Sequence, residues 1–492
     1  MADYDFETAM EIVDEGTFLV DKDTNTFYVE YIGANKAERC VPVSSREYQT
    51  FLRQEYRRRT NECFAPTFKN ELLMKKDEAF EDEASHVRFY RRVKGSIKKG
   101  KIIYSLNSKL KRAISVSQDN WKPIQTNKVH FLDSNATKNQ VKPKGGGNLL
   151  ELLEPYFNLP HDAFLLFVIC LVQSFSRDSD HFAMIISGQK GTGKSTMTEI
   201  FREIIDPSEL NKSLTPKSVD DLIVNLSNSF IVSIDNAKPL SEDMSNTLCA
   251  AITGASAVKR ELYTNDSQVI MKLHNIVLIN GIDIIPKKSD LVDRALLFEP
   301  QKITKEKRLS EQELMEQFRS EKPAILGAIM DVLVEAMKQM PNVKPSLLHR
   351  MADAHREMIA IALALGISQE NFEKILNHNI WSLQNAYSSG NDFVDAVTEY
   401  VNLNGKQDGP VTKIYKRLYL SIPGSKKYMP GSPSSFSRKM KEEQEAFRIN
   451  GIRFHRYKKN DANYITIERI PQSQQSKGKR KAEPEQHAST ED

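Results

Sequence analysis

Gly188-Gln189-Lys190-Gly191-Thr192-Gly193-Lys194-Ser195 fits G-x-x-x-x-G-K-[ST], the loop whose backbone N–H groups cradle nucleotide phosphates. The flanks suit that chemistry. Phe182 to Ser187 is an apolar run that reads as a buried strand. Thr196 to Ile205 reads as a helix with Met197, Ile200, Phe201 and Ile204 on one face. The glycines Gly188, Gly191 and Gly193 let the backbone curl toward phosphate oxygens, and the helix N-terminus adds partial positive charge. Thr192 and Thr196 complete the lining. Lys194 is expected to reach the β- and γ-phosphates, and Ser195 to hold Mg²⁺. The fold class expected from strand–loop–helix is α/β, and the ligands are ATP and Mg²⁺.

About forty residues on, Phe230-Ile231-Val232-Ser233-Ile234-Asp235-Asn236 is an apolar strand ending in an acid. Asp235 is expected to bind the magnesium water shell. The next position often carries a second acid that orients the attacking water. Here it is Asn236, which cannot take a proton. Three readings stay open: Asn236 positions water by hydrogen bonding, Asp266 or Glu261 serves instead, or hydrolysis is slow. A helix from Ser241 to Thr253 follows. Val258 to Tyr263 and Gln268 to Lys272 then read as a β-hairpin around Thr264-Asn265-Asp266-Ser267. A third strand, Asn275 to Asn280, places Asn280 where a sensor of the γ-phosphate is needed. Fourteen residues later Arg294 can serve a neighbouring subunit's site as an arginine finger, or pair with Asp290 or Asp293.

The order P-loop, strand-terminal Asp, hairpin, strand-terminal Asn, Arg resembles the superfamily 3 helicases of the AAA+ class. It is closer still to helicase-like replication ATPases of phages and other mobile elements, around Arg260-Glu261-Leu262-Tyr263-Thr264-Asn265-Asp266, Leu278-Ile279-Asn280-Gly281-Ile282 and Asp290-Leu291-Val292-Asp293-Arg294-Ala295-Leu296. The resemblance covers residues 150–300. It implies an ATPase with Lys194, Ser195, Asp235, Asn280 and Arg294 in the catalytic roles. It also implies a ring, most commonly a hexamer, with single-stranded DNA in its pore near Lys259, Arg260, Tyr263 and Lys272. One departure stands out: the expected hairpin tip is not basic.

The flanks add partners. Residues 1–133 read as an α+β domain, with a hairpin at residues 17–31, a Ser-capped helix from Ser44 to Arg59 and another from Phe68 to Ala84. From His86 to Gln118 there are ten Lys/Arg and no acid, with Phe89, Tyr90 and Tyr104 interleaved. That is either a strand-borne nucleic-acid surface or a solvated hairpin with inward aromatics. Residues 134–148 read as a linker, 149–304 as the ATPase core and 305–388 as a helical lid. Residues 389–470 read as three helices and a hairpin, a winged helix. Its third helix would offer Arg438 to duplex DNA, and its wing Arg456, Lys458 and Lys459; protein contacts are the other use. Residues 471–492 read as a disordered tail.

The 492 residues carry a net charge of +4, too small an excess to argue for nucleic acid by itself. Cys40, Cys63, Cys170 and Cys249 are far apart, with no zinc or disulfide pattern. The acidic start and the absence of a long apolar run suggest a cytoplasmic protein with no membrane partner. The expected function is an ATP-dependent DNA helicase or replication initiator of a phage or mobile element, acting as an oligomeric ring. The alternative is an ATP-gated DNA-binding or assembly switch with little hydrolysis and no unwinding.

Overall fold

Four strands lie parallel in the order Ile231–Ile234, Ile276–Gly281, Ala183–Ser187, Ala295–Phe298. The computed structural model describes residues 5–33, 38–62, 67–134, 136–209, 215–238, 240–260, 268–282, 286, 288–303, 310–422, 429–459 and 462–471. All residues of these four strands are buried, which is why they read as unbroken apolar runs rather than alternating ones. Helix Lys194–Ile205 buries Met197, Ile200, Phe201 and Ile204, the face expected from the spacing. It starts two residues earlier than expected, because Gly193 takes the left-handed N-cap position (φ 80°). The strand carrying Asn280 lies between the P-loop strand and the strand leading to Asp235. All three therefore end at one edge of the sheet.

The described residues fall into two compact units, those within 1–284 and 294–377 and those within 285–293 and 378–471. The expected boundaries at 133 and 148 fall inside the first. Its N-terminal part holds a sheet of Glu38–Pro42, Phe27–Ile32, Thr17–Asp21 and His86–Val87. Helices Phe6–Asp14, Arg46–Thr60 and Lys69–Glu81 share its core, with Tyr48, Leu52, Tyr56 and Phe68 buried. Ser45, not Ser44, caps the second helix. A meander of Val93–Ser96, Lys101–Asn107, Arg112–Ser117 and Trp121–Gln125 follows.

One open reading narrows here and one expectation needs correction. The basic stretch 86–118 is not wholly turned to solvent. Tyr104 is buried, and its hydroxyl donates to the carbonyls of Ile204 (3.3 Å) and Ile205 (2.8 Å) at the end of the P-loop helix. Arg92 is buried beside it, donating to Asp206 (2.9 Å) and to the Lys138 carbonyl (2.8 Å). A cation suits the negative end of a helix. Lys98, Lys99 and Lys111 are paired with Asp353, Asp178 and Glu38. Nor is 134–148 a free spacer. Lys138 N donates to Pro207 O (3.0 Å), Gln140 N to Leu106 O (2.8 Å) and Lys144 N to Pro323 O (2.8 Å). Its polar composition serves hydrogen bonds along the core.

After the sheet come helices Glu311–Gln339, Ala352–Ala364 and Gln369–Ser389. The first opens on a capping box of Ser310 and Glu313 and buries Phe318, Ile325, Ile329 and Leu333. Buried Lys322 meets Glu203 of the P-loop helix at 2.9 Å. Among the described residues no single helix is long and apolar enough to cross a membrane.

The second unit contains helices Asp392–Asn404, Val411–Ser421, Pro433–Glu442 and Gln444–Ile449. Its sheet runs Gln407–Pro410, Ala462–Arg469, Ile452–Lys459. Phe393, Ile414, Leu418, Phe436 and Phe447 fill its core. The short strand Gln407–Pro410 and helix Gln444–Ile449 add to the expected three helices and hairpin. The expected tail lies, from residue 472, outside the described residues.

Two imidazoles of the first unit, His181 buried and His274 half-buried, make its stability depend on pH. Burial, reinforced by His274 and Arg177, draws His181 down to about 3; burial and Arg177 draw His274 down to about 4. Both stay neutral in the folded chain while the unfolded chain protonates near pH 6.5. Stability is therefore full above pH 6.5 and falls as pH drops below it, by roughly 2 kcal/mol for each at pH 5. Calorimetry from pH 7 to pH 5 should show this loss, and His181→Gln should remove about half of it. A midpoint insensitive to pH over that range would contradict the assignment.

Candidate active site

The P-loop turns sharply out of its strand. Gly188 N donates to Gly281 O (3.2 Å), which ties the loop to the neighbouring strand end. Gly191 and Gly193 both have φ 80°, which side chains other than glycine rarely tolerate. Thr192 is buried, and its hydroxyl donates to Gln189 O (3.1 Å). The first intrahelical bond is Met197 N to Gly193 O. By helix geometry the N–H groups of Lys194, Ser195 and Thr196 have no intrahelical partner and point along the dipole toward the loop. The Lys194 ammonium folds back onto Gly188 O (2.6 Å) and Gln189 O (2.7 Å).

Beneath the loop the three strand ends converge on Asp235. Its Oδ1 accepts from the Ser195 hydroxyl (2.8 Å) and from Asn280 Nδ2 (2.7 Å). Asn280 is buried. Its amide also donates to Thr198 Oγ1 (3.0 Å), and its Oδ1 accepts from Asn236 N (2.9 Å). Asn236 has φ 48°, a left-handed conformation that asparagine tolerates better than most side chains. So Lys194, Ser195, Asp235, Asn236 and Asn280, each singled out from its own stretch of sequence, lie at one place. Thr198 was missed. The signal was a polar residue one turn past Lys194, beside the apolar face of its helix.

Arg294 is elsewhere. Its carbonyl accepts from Ala183 N (2.9 Å) at the start of the P-loop strand, so it sits at the opposite edge of the sheet from Ser187, about 13 Å along the strand. Asp180 is near it; burial holds that carboxyl above its usual range, with Asp353 adding to the effect and Arg294 opposing it.

The hairpin pairs Ala255–Arg260 with Gln268–Leu273, Lys259 opposite Val269 and Arg260 opposite Gln268. Tyr263, Glu261, Asp266 and the expected tip lie outside the described residues, as do the side chains of Lys259 and Arg260. Lys272 is exposed, its Nζ 3.9 Å from Asp23. In the second unit Arg438 is exposed, 3.7 Å from Glu442 on the same helix. Arg456 donates to Ser437 Oγ of that helix (3.3 Å), and Lys458 and Lys459 are exposed on the same strand as Arg456.

Residues 157–371 match a family described as the actinomycete integrative conjugative element replication protein. No curated protein matches the chain. Among solved structures, the A-form apo structure of the NrS-1 C-terminal region is similar at 14% identity and TM-score 0.39, covering 95% of this chain and 100% of that one. A second apo structure of that region gives 12%, 0.39, 95% and 99%. JCV helicase gives 14% identity and TM-score 0.25 over 48% of this chain and 65% of its own. At such TM-scores the fold rests on the strand order and register described above.

Proposed function

We propose that this chain is an ATP-dependent DNA motor, a helicase or replication initiator of a mobile element, working as a ring in the cytoplasm. The observation that carries the reading is the meeting of Ser195, Asn280 and Asp235 below a glycine-rich loop at the C-terminal ends of parallel strands. The residues present fit Mg²⁺–ATP. The loop's left-handed glycines leave room for phosphates, and a hydroxyl beside a carboxylate is a hard oxygen donor set suited to magnesium. Bound Mg²⁺–ATP would supply the phosphoanhydride whose hydrolysis drives movement. Gly188, Gly191, Gly193, Thr192 and Thr196 would shape the phosphate cradle. Lys194 would neutralise the terminal phosphates, Ser195 and Asp235 would hold the metal, and Asn280 would read the γ-phosphate. Asn236, lacking an acid, would orient water by hydrogen bonding.

The three helices 311–389 suit a lid on such an AAA+ core. The helix–hairpin order of residues 389–470 suits a winged helix contacting duplex DNA through Arg438, Arg456, Lys458 and Lys459. The match to a replication-protein family over 157–371 supports this reading. Asn236 favours a second one, an ATP-gated switch that binds nucleotide and hardly hydrolyses it. ATP turnover with and without single-stranded DNA, followed by strand displacement, separates them. A motor shows turnover raised by DNA together with unwinding. Tight ATP binding with negligible turnover selects the switch.

A further inference from the structure

A second cleft, of about 880 Å³, lies within the first unit, away from the P-loop. One wall is the basic segment: Arg88 to Tyr90, Lys94 and Lys101. The other is Arg177 with the base of the hairpin, from Gly254 to Ser256 and from Lys272 to His274. Seven Lys/Arg line it against two carboxylates, Asp23 and Asp178, which leaves an excess of five positive charges. Arg88 and Lys99 use those two carboxylates. Lys94, Lys101 and Lys128 have no carboxylate partner among the described residues, and Lys101 and Lys128 are exposed. Arg177 is half-buried, over the Phe230 ring (5.7 Å) and donating to the His274 carbonyl. A protein does not gather unpaired cations in a concave site without an energetic cost, and an anion relieves it.

The walls also carry aromatic faces. Lys94 Nζ lies 5.0 Å from the centre of the Tyr90 ring, and Phe89 lines the cleft beside it. Gly95 also lines the cleft; its φ of 96° and the Lys101 O only 2.0 Å from where a Cβ would lie exclude a side chain there. Asp178 N donates to Gly95 O (3.2 Å), tying two lining residues together. Cations tracking a groove, with aromatic rings beside them, are what single-stranded nucleic acid needs. The volume is on the scale of a drug-sized ligand pocket, roughly two nucleotides, and much too small for a duplex.

We propose that this cleft binds the backbone of single-stranded DNA, making the N-terminal basic sheet and the hairpin base one continuous contact surface. It shares with the proposed function only its partner, DNA, and needs no ATP turnover. Lys272, expected from the sequence to touch DNA, lies in this cleft. The residues 86–118 thus act in both ways raised by their composition: Arg92 and Tyr104 face inward, while Lys94 and Lys101 face the strand.

The test is fluorescence anisotropy of an oligo-dT strand on the full chain, without nucleotide, from 50 to 200 mM salt. The triple substitution Lys94→Ala, Lys101→Ala and Lys128→Ala should lower the log–log salt slope by about 2, at roughly 0.7 per lost contact, and weaken binding about 10²-fold near 0.1 M. Lys101→Glu alone, which spares the Lys94–Tyr90 contact, should lower it by at least about 0.7. Duplex binding should change far less. Unchanged slopes in both variants overturn the proposal, and so does an equal loss for duplex. Because no nucleotide is present, either result reads the cleft whether or not the protein proves to be an ATPase.

Discussion

Lys194→Ala is expected to lower ATP turnover by about 10²–10³-fold, the effect of removing one preorganised donor from developing charge, and to weaken nucleotide binding by about 10- to 10²-fold. The change should not unfold the protein. Lys194 is the first residue of its helix and half-buried, and alanine is the best helix former. What is lost is the ammonium that now rests on Gly188 O and Gln189 O. Asp235→Asn makes the complementary test. Its side-chain oxygen can still accept from Ser195 and Asn280, so the cluster should keep its shape while losing the charge that favours magnesium. That variant should bind nucleotide and turn it over at least about 10²-fold more slowly, with the loss only partly recovered at high magnesium. Steady-state hydrolysis beside calorimetric binding of ATP measures both. Turnover by Lys194→Ala within tenfold of the unaltered chain would falsify the assignment of this loop as the catalytic cradle. Under the switch reading the unaltered chain hardly turns over, and both variants report only through affinity.

The P-loop and its two partner strands were legible because their signals are local. An apolar run ending in Ser187, Asp235 or Asn280 is a buried strand with a polar terminus, and eight residues define the loop. Their convergence was not legible. It depends on the Asn280 strand lying between the other two, which no local pattern states. The start of the P-loop helix shifted for a local reason, the left-handed Gly193. The basic stretch was ambiguous for a distant one. Arg92 faces inward because Asp206, 114 residues later, closes the P-loop helix against it. Segment 134–148 looked like a spacer because its partners, Pro207 and Pro323, are far away in sequence. A polar, glycine-rich stretch has the composition of a loop whether it hangs free or is tied down by its backbone.

Arg294→Ala is expected to bind ATP normally and to lose about 10³-fold or more in turnover, the scale of an arginine finger. The argument is geometric. Phosphate would sit past Ser187 at one edge of the sheet, and Arg294 lies at the other, beside Ala183. No side chain crosses that span, so Arg294 cannot serve its own loop. In a head-to-tail ring, however, each subunit presents one edge to the next subunit's opposite edge, so Arg294 would complete its neighbour's site. This predicts complementation. Lys194→Ala subunits lack the ammonium but keep Arg294, and Arg294→Ala subunits keep Lys194. Each is inactive alone. Mixed in equal amounts and reassembled, they should form intact sites at on the order of one interface in four, if exchange is random, with turnover recovering toward that fraction. Recovery would require both an oligomer and a site shared between subunits. If Arg294→Ala alone retains full turnover, its role is structural, through neighbours such as Asp180. If it is inactive but the mixture stays inactive after verified exchange, Arg294 supports its own subunit's sheet rather than the next subunit's chemistry.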